Sequence, residues 1–495
     1  MGALHAGHAA LIAKAGSSHV NPSVSTGQVA VLVSIFVNPL QFAPGEDFEN
    51  YPRQLHQDVL FAARAGASAI WAPSAEEILP ESGKSGIFRV AVPDVLTTYL
   101  CGPSRSAHFD GVATVVARLL AFVQPHLLVL GEKDWQQLVI LRRMIVELGL
   151  PVRVRGVATV RESDGLASSS RNRYLSQEER LKARGLHRRL LEQSTSAYPA
   201  SIEGLALLRQ RLKEDGLTVE YVEAVNPTTL QPPQTKAHKL ILLAAAVRCG
   251  TTRLIDHIFW AARKPIVAID GPAGAGKSTV TRALADRLGL LYLDTGAMYR
   301  AVTWFLLNQD INLADRHAIQ LILEKVNLQL ELLPDGSQIV CVNGRNVSEA
   351  IRSPRVTASV SAVAAHHCVR QVLTTQQRQI GDDGGLIAEG RDIGTAVFPD
   401  AEVKIFLTAT PAERARRRAL DLQRRGFAAP DLDRLELQIK ERDQLDSSRE
   451  EAPLVKATNA VEVVTDSMDI EAVVSRIEDL FRLQIPEEVW PTPMC

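Results

Sequence analysis

The sequence predicts an α/β protein of more than one domain, built on parallel sheets. Three observations carry that reading. The chain has 495 residues, more than a single core usually holds. Short apolar runs alternate with longer amphipathic ones in both halves. And a glycine-rich segment, Gly271-Pro272-Ala273-Gly274-Ala275-Gly276-Lys277-Ser278, stands between an apolar run and a helical pattern.

In chain order, Val29–Val37, Ala69–Trp71, Leu127–Leu130, Val152–Val160, Pro265–Ile269, Leu290–Leu293, Leu386–Ala388 and Val403–Leu407 read as strands, with helical patterns between most of them. Ser176–Gln193 reads as one helix: Ser176 and Glu179 form a capping box, and Leu181, Leu186, Leu190 and Leu191 supply the apolar stripe. Prolines make Asn226–Gln234 a loop. One unit is expected to end at Arg253–Asp256 and the next to begin with the strand at Pro265. Only HIFWAARK lies between them, and the boundary is placed near Arg263.

Composition narrows the class. Hydrophobic residues are 46% and charged residues 22%, ordinary for a soluble globular protein. With 55 basic and 56 acidic residues, the net charge of −1 gives no general pull toward nucleic acid or an anionic membrane. Small-molecule partners are expected instead. The five cysteines form no CxxC pattern and read as free thiols of a reducing cytoplasm. The apolar run Val29–Val37 falls short of the ~20 residues that span a bilayer, and no signal-peptide pattern opens the chain.

The segment Gly271–Ser278 matches GxxxxGK[ST] in full, with a strand before it and the helical pattern Thr279–Leu288 after it. Glycines let backbone amides wrap a phosphate, the helix N-terminus adds partial positive charge, Lys277 reaches the outer phosphates and Ser278 is placed to hold Mg²⁺. A guanine-reading NKxD is absent, as is an apolar strand ending in Asp-Glu in this half, which argues against a GTPase switch and a motor ATPase. Downstream lie Leu293-Asp294-Thr295-Gly296, Gly390-Arg391-Asp392, a basic run (Arg414, Arg417, Arg418, Arg424, Arg425) and Glu441-Arg442-Asp443 with Asp446 and Arg449. Phosphoryl transfer between two anionic nucleotides needs such a supply of cations.

The set GPAGAGKST, LDTGAMYR, EGRDIGTAVFPDA and ERDxxDxxR resembles bacterial cytidylate kinase, from Pro265 to about Leu483. The resemblance implies a P-loop nucleoside-monophosphate-kinase fold with an insert at Leu333–Ile351, carrying PDG and NGR turns. It also implies transfer from ATP to CMP or dCMP. ATP would be bound by Gly271, Pro272, Ala273, Gly274, Ala275, Gly276, Lys277, Ser278, Thr279 and Arg417, with Lys277 catalytic. Thr295, Ser361, Arg370, Arg391, Asp392, Arg442, Asp446 and Arg449 would bind CMP. Thr295 and Glu389 stand where some relatives have Ser and Asp.

At the other end, His5-Ala6-Gly7-His8 places two imidazoles at a helix start, where they can donate to charge developing on an α-phosphate. Taken alone the motif is short enough for two ordinary histidines. Asn38 and Gln41 end an apolar run with amides. Leu127–Leu130 leads into Gly131-Glu132-Lys133-Asp134, and Ser168-Ser169-Ser170-Arg171 forms a polar loop able to hold phosphate through hydroxyls and a guanidinium.

Together these resemble pantothenate synthetase, from Met1 to about His257. The resemblance implies a Rossmann-like nucleotidyltransferase domain of the HIGH type with a small α+β subdomain. Pantoate and ATP would give pantoyl adenylate, and β-alanine would attack it to give pantothenate and AMP. Met1, Gly2, Ala3, Leu4, His5, Ala6, Gly7, His8, Gly131, Glu132, Lys133, Asp134, Val160, Ser168, Ser169, Ser170 and Arg171 would bind ATP. Gln41 and Gln137 would bind pantoate, with Gln41 also near β-alanine. His5, His8 and Lys133 would stabilise the transition state, His8 being the family's proton donor. Ser168 stands where relatives carry Leu. The family also has a strand and a Pro-Thr before this Met, so the natural start is expected upstream.

The expected organisation is thus a synthetase at 1–263 (1–158 for the nucleotide, 159–263 the smaller part) and a kinase at 264–495. A dimer through the N-terminal half is expected from the family. Two alternatives stay open for that half: an adenylating ligase for another small carboxylate, and a catalytically dead nucleotide-binding module.

Overall fold

The structure is a computed structural model of the chain and describes residues 2–17, 29–42, 46, 48–80, 86–105, 107–196, 198–233, 240–332, 338–424 and 431–493. Of the features named above, Met1, Gln234, the PDG turn at 334–336, Arg425 and Cys495 lie outside the described residues. The chain divides into two compact units: Met1–Ala262 with Arg482–Pro491, and Arg263–Phe481 with Thr492–Cys495. Among the described residues no helix is long and apolar enough to cross a membrane, and Cys101, Cys249, Cys341 and Cys368 are free thiols.

In the first unit, β1 (Leu32–Ser34) pairs in parallel with β2 (Ala69–Trp71), Leu32 opposite Ala69. β3 (Leu127–Gly131) pairs in parallel with β4 (Arg153–Val157), Leu127 opposite Arg153. The expected strand Val29–Val37 is shortened to β1. Beyond it the chain turns at Asn38, whose side chain accepts the Leu40 amide at 3.0 Å and starts the 3₁₀ turn Pro39–Gln41. The helix Ala6–Ser17 follows the first histidine of the HxGH motif directly.

The smaller part of this unit holds an antiparallel sheet that sequence reading missed: β5 (Thr218–Val225), β6 (Leu240–Cys249) and β7 (Thr252–Ala261). HIFWA is therefore strand, not connector. Both faces of β7 are covered, Leu254 and Ile258 packing into one cluster and Ile255 and Phe259 into another. Asp256 and His257 interrupt its apolar run and hid it. The single helix expected over Ser176–Gln193 is two, Gln177–Ala183 and Gly185–Ser194. The capping box is present as expected. The break comes at Arg184, just before Gly185, a weak helix former where a Cβ would lie 2.6 Å from Asp215 Oδ2.

The second unit is a five-stranded parallel sheet flanked by helices. Its strands are β8 (Ile266–Asp270), β9 (Leu291–Asp294), β13 (Leu386–Gly390), β14 (Val403–Thr408) and β15 (Val461–Val464), in the order β15-β14-β8-β13-β9. Between β9 and β13, β10 (Leu328–Leu332), β11 (Gln338–Val342) and β12 (Arg345–Asn346) form a separate antiparallel sheet over the expected insert. Asn343 and Gly344, at φ +51° and +78°, make the two-residue turn between β11 and β12. β8 is wholly buried, with β13 and β14 on either side. Because β9 skips past β13, the carboxyl ends of β8, β13 and β9 open at a switch point, where doubly wound sheets bind ligands.

Candidate active sites

The phosphate loop leaves β8 at Gly271 and ends in the helix Lys277–Leu288, with Gly271, Gly274 and Gly276 all at positive φ. Gly271 is sterically required, since a Cβ there would lie 2.0 Å from Leu407 O on the neighbouring strand. Lys277 is buried and donates to Gly271 O and Pro272 O, both at 2.9 Å. Burial, then the Arg391 charge, lowers its ammonium to about 7, against the pull of Glu389 and Asp270. Asp270 accepts the amides of Ile393 and Gly394 at 2.7 Å each and so ties the end of β8 to the turn after β13.

Ser278 Oγ donates to Glu389 Oε1 at 2.6 Å, and Tyr292 OH donates to the same oxygen at 2.7 Å. Glu389 is buried, its other oxygen has no hydrogen-bond partner among the described residues, and burial followed by the Asp294 charge raises its carboxyl. A hydroxyl beside a carboxylate with an unmatched oxygen is a hard-oxygen donor set that fits Mg²⁺, which takes one or two carboxylates and completes its shell from phosphates and water.

The expected acceptor residues gather at the same edge. Thr295 opens the helix Thr295–Asn308 and donates to Glu389 O at 2.7 Å. Arg370 pairs with Asp392, and Arg449 Nη2 lies 3.8 Å from the same carboxylate. Arg391 Nε donates to Asp446 at 3.0 Å. Among the described residues, Arg442 Nε and Arg449 Nη2 are buried without a hydrogen-bond partner. Burial first, then a neighbouring arginine, lowers both guanidinium groups. So dense a set of under-paired cations calls for a polyanion. Among the described residues no hydrogen bond joins Ser361, on the helix Pro354–Ala364, to this set.

Two members of the basic run are not open cations. Arg414 is buried, donates to Ala409 O and Ala273 O at 3.0 Å each, and pairs with Asp443. It braces the phosphate loop from behind. Arg417 is held by Glu413 at 2.8 Å and by Thr465 Oγ1 at 2.9 Å, with its Nη1 3.8 Å from where a Gly276 Cβ would stand.

In the first unit, the amides of Ala3 and Leu4 donate to the two oxygens of buried Asp58 at 2.9 and 2.8 Å. Sequence reading missed Asp58, because nothing near it marks a lone acid as an anchor. The His5 amide donates to His8 Nδ1, and the Gly7 amide to His5 Nδ1, each at 3.2 Å. Both rings therefore carry their proton on Nε2. Burial, then the Lys133 charge, lowers His5 to about 4; burial, then His5, lowers His8 to about 3. Two neutral N–H donors result.

The serine loop comes to the same place: a Gly7 Cβ would lie 3.9 Å from Ser168 Cβ. Ser168 N donates to Val160 O at 2.8 Å, and Ser170 Oγ lies 3.0 Å from Tyr51 OH. A cleft of about 550 Å³ is lined by Lys133, Asp134, Ser169 and Arg171, within the range of small-molecule sites. Lys133 and Asp134 also border a smaller cavity of about 60 Å³ with Gln137, Arg105 and His108. Gln41 is joined to that cavity through its carbonyl, which lies 2.8 Å from His108 Nδ1 and accepts from Arg105 at 3.2 Å. Arg105 and His108 carried no motif in the sequence. Gly131 and Glu132 link β3 to Lys133.

Two family models match the chain, pantoate-beta-alanine ligase over residues 1–259 and cytidylate kinase over 267–483. The bifunctional pantoate ligase/cytidylate kinase of Prochlorococcus marinus (strain MIT 9313) is 60% identical over 493 residues, 99% of this chain and 96% of its own. That of Synechococcus sp. (strain CC9311) is 58% identical over 498 residues, covering 100% and 99%. The solved pantothenate synthetase of Thermus thermophilus aligns at 44% identity and a TM-score of 0.47, over 52% of this chain and 90% of that one.

Proposed function

This chain belongs to the bifunctional pantoate ligase/cytidylate kinase family, and on that premise we infer how its residues divide two ATP-dependent reactions. One condenses pantoate with β-alanine through pantoyl adenylate, releasing pyrophosphate and AMP. The other moves the γ-phosphoryl of ATP to CMP or dCMP. The observation that carries this reading is that the histidine pair with Lys133 nearby and the glycine-rich loop Gly271–Ser278 stand in different units.

In the ligase reaction, neutral His5 and His8 donate Nε2–H to the α-phosphate as pantoate attacks it, and Lys133 supplies the full positive charge. Ser169, Ser170 and Arg171 hold the outer phosphates, while Gln41 and Gln137 orient pantoate. In the kinase reaction, Lys277 leaves the loop carbonyls for the transferring phosphoryl group. The acceptor phosphate is held by Arg391, Arg442 and Arg449, with Arg370 and Asp392 fixing the pocket. Asp446 stands at the sugar. Mg²⁺ would be held by Ser278 and Glu389 and would offset negative charge on the ATP phosphates.

A domain boundary near residue 263, with Arg482–Pro491 returning to the ligase unit, a cytoplasmic setting and a homodimer through the ligase half complete the proposal. Sedimentation of the whole chain tests the last. Paired assays on one preparation test the two-site division: CMP-dependent ADP formation, and AMP formation that requires both pantoate and β-alanine. Lys277→Ala abolishes only the first and His8→Ala only the second. Loss of both activities from either substitution sinks it.

A further inference from the structure

The segment Arg482–Pro491 belongs to the first unit, and no residue placed in either reaction lies on it. It nevertheless reaches the one buried acid of the GEKD turn. Glu132 is 1% exposed, and its two carboxylate oxygens accept the amides of Glu487 and Glu488 at 2.8 and 3.0 Å. The first of these contacts joins residues 355 positions apart in sequence. Gly156 on β4 leaves the room: a Cβ there would lie 2.5 Å from Glu132 Oε1.

Glu488 then turns its own carboxylate to the neighbouring strand end. Its Oε1 accepts the Thr159 amide at 2.8 Å, and its Oε2 lies 3.5 Å from buried His257 Nε2. The segment is fastened on its other side as well. Glu487 lies 3.4 Å from Lys14 on the helix that begins after His5, and Arg482 donates to Trp490 O at 2.6 Å.

One dipeptide thus ties the carboxyl ends of both β3 and β4. A buried carboxyl group is tolerated only when its polar atoms are matched, and the amides of Glu487 and Glu488 match both oxygens of Glu132. Glu132 is followed directly by Lys133 and Asp134, which border both cavities. Thr159 is followed by Val160, whose carbonyl holds Ser168. We propose that Arg482–Pro491 is a positioning element of the ligase site, and that by holding Glu132 and Thr159 it sets where Lys133 and the Val160–Ser168 contact stand against ATP. The proposal rests on the ligase reading of the first unit.

The test uses the whole chain beside two variants, Glu488→Ala and a chain ending at Pro486. Ligase kcat and the KM for ATP and for β-alanine are measured, with CMP kinase activity and melting temperature on the same samples. The expected result is a rise of roughly 10- to 100-fold in the ligase KM for ATP, as for other displaced positioning groups. Kinase kinetics stay unchanged in Glu488→Ala. A merely structural role lowers the amount of active protein and leaves KM where it was. An unchanged KM for ATP in a folded variant, whatever happens to Vmax or melting temperature, overturns the assignment. Should the truncated chain fail to fold, Glu488→Ala decides. If the whole chain forms no AMP with pantoate and β-alanine, the ligase reading fails instead.

Discussion

Ser278 Oγ and Glu389 Oε1 lie 2.6 Å apart, so the hydroxyl that ends the phosphate loop is held by a carboxylate at the end of the adjacent strand. Tyr292 bonds to the same oxygen, and among the described residues Glu389 Oε2 has no hydrogen-bond partner. A buried acid with one oxygen matched twice and the other unmatched is poised for a cation. Glu389→Gln keeps the shape and removes the charge. The Mg²⁺ concentration giving half-maximal kinase activity rises by at least about 10-fold, while ligase activity is unaffected. A Mg²⁺ titration of both activities checks it.

Asp58 fixes the chain just before His5 by accepting the amides of Ala3 and Leu4. Asp58→Ala leaves both amides buried and unmatched, at a cost of about 1–3 kcal/mol each. In urea, the unfolding step that tracks loss of ligase activity moves to lower concentration. The step that tracks the kinase stays where it was, because the two units need not unfold together.

The two imidazoles set a pH dependence whose sign follows from their lowered values, about 4 for His5 and about 3 for His8. The unfolded chain takes up a proton at each near pH 6.5, while the folded chain does not until far lower. Stability from these groups is therefore complete above pH 6.5 and is lost as pH falls toward 4 and then 3. Glu132, raised to about 7 by burial, works in the opposite direction: its contribution is present below its unfolded value of 4.5 and is lost as pH rises through 7. Comparing His8→Asn with the parent isolates the histidine. The variant loses roughly 1–2 kcal/mol less stability than the parent between pH 7 and 5, measured by denaturant unfolding at each pH.

Nucleotide binding at the kinase site takes up a proton at alkaline pH. Without phosphate, Lys277 sits at about 7 and is mostly neutral at pH 8.5. Phosphate oxygens beside it restore the ammonium form. Calorimetry of ATP binding in buffers of different ionisation enthalpy reads close to one proton taken up at pH 8.5 and close to none at pH 6. Lys277→Met abolishes the difference.

Where a site is written in contiguous residues, the sequence was readable. The phosphate loop needs glycines at fixed places, a lysine at the helix start and a strand before it, and all three are local. The capping box of Ser176 and Glu179 and the Asn343–Gly344 turn follow from neighbouring residues in the same way. Strand β7 was not readable, because Asp256 and His257 sit in its middle and their partners lie elsewhere: Arg161 donates to Asp256 at 2.7 Å, and Glu488 meets His257. Polar residues look like a chain break until the groups that neutralise them are known.

The sequence by itself determined the α/β class and the two enzyme families joined in the chain, since both rest on short-range spacing and contiguous motifs. Tertiary structure alone decided which lone acids matter. Asp58 is an anonymous carboxylate in the sequence, and Glu132 and Glu389 are marked there only by family resemblance; all three act through amides or hydroxyls brought near them only by folding. It also decided that Arg414 is a brace, not an open cation, and that residues 482–491 belong with the first unit. A buried charge is defined by what surrounds it, and those surroundings come from segments far apart along the chain.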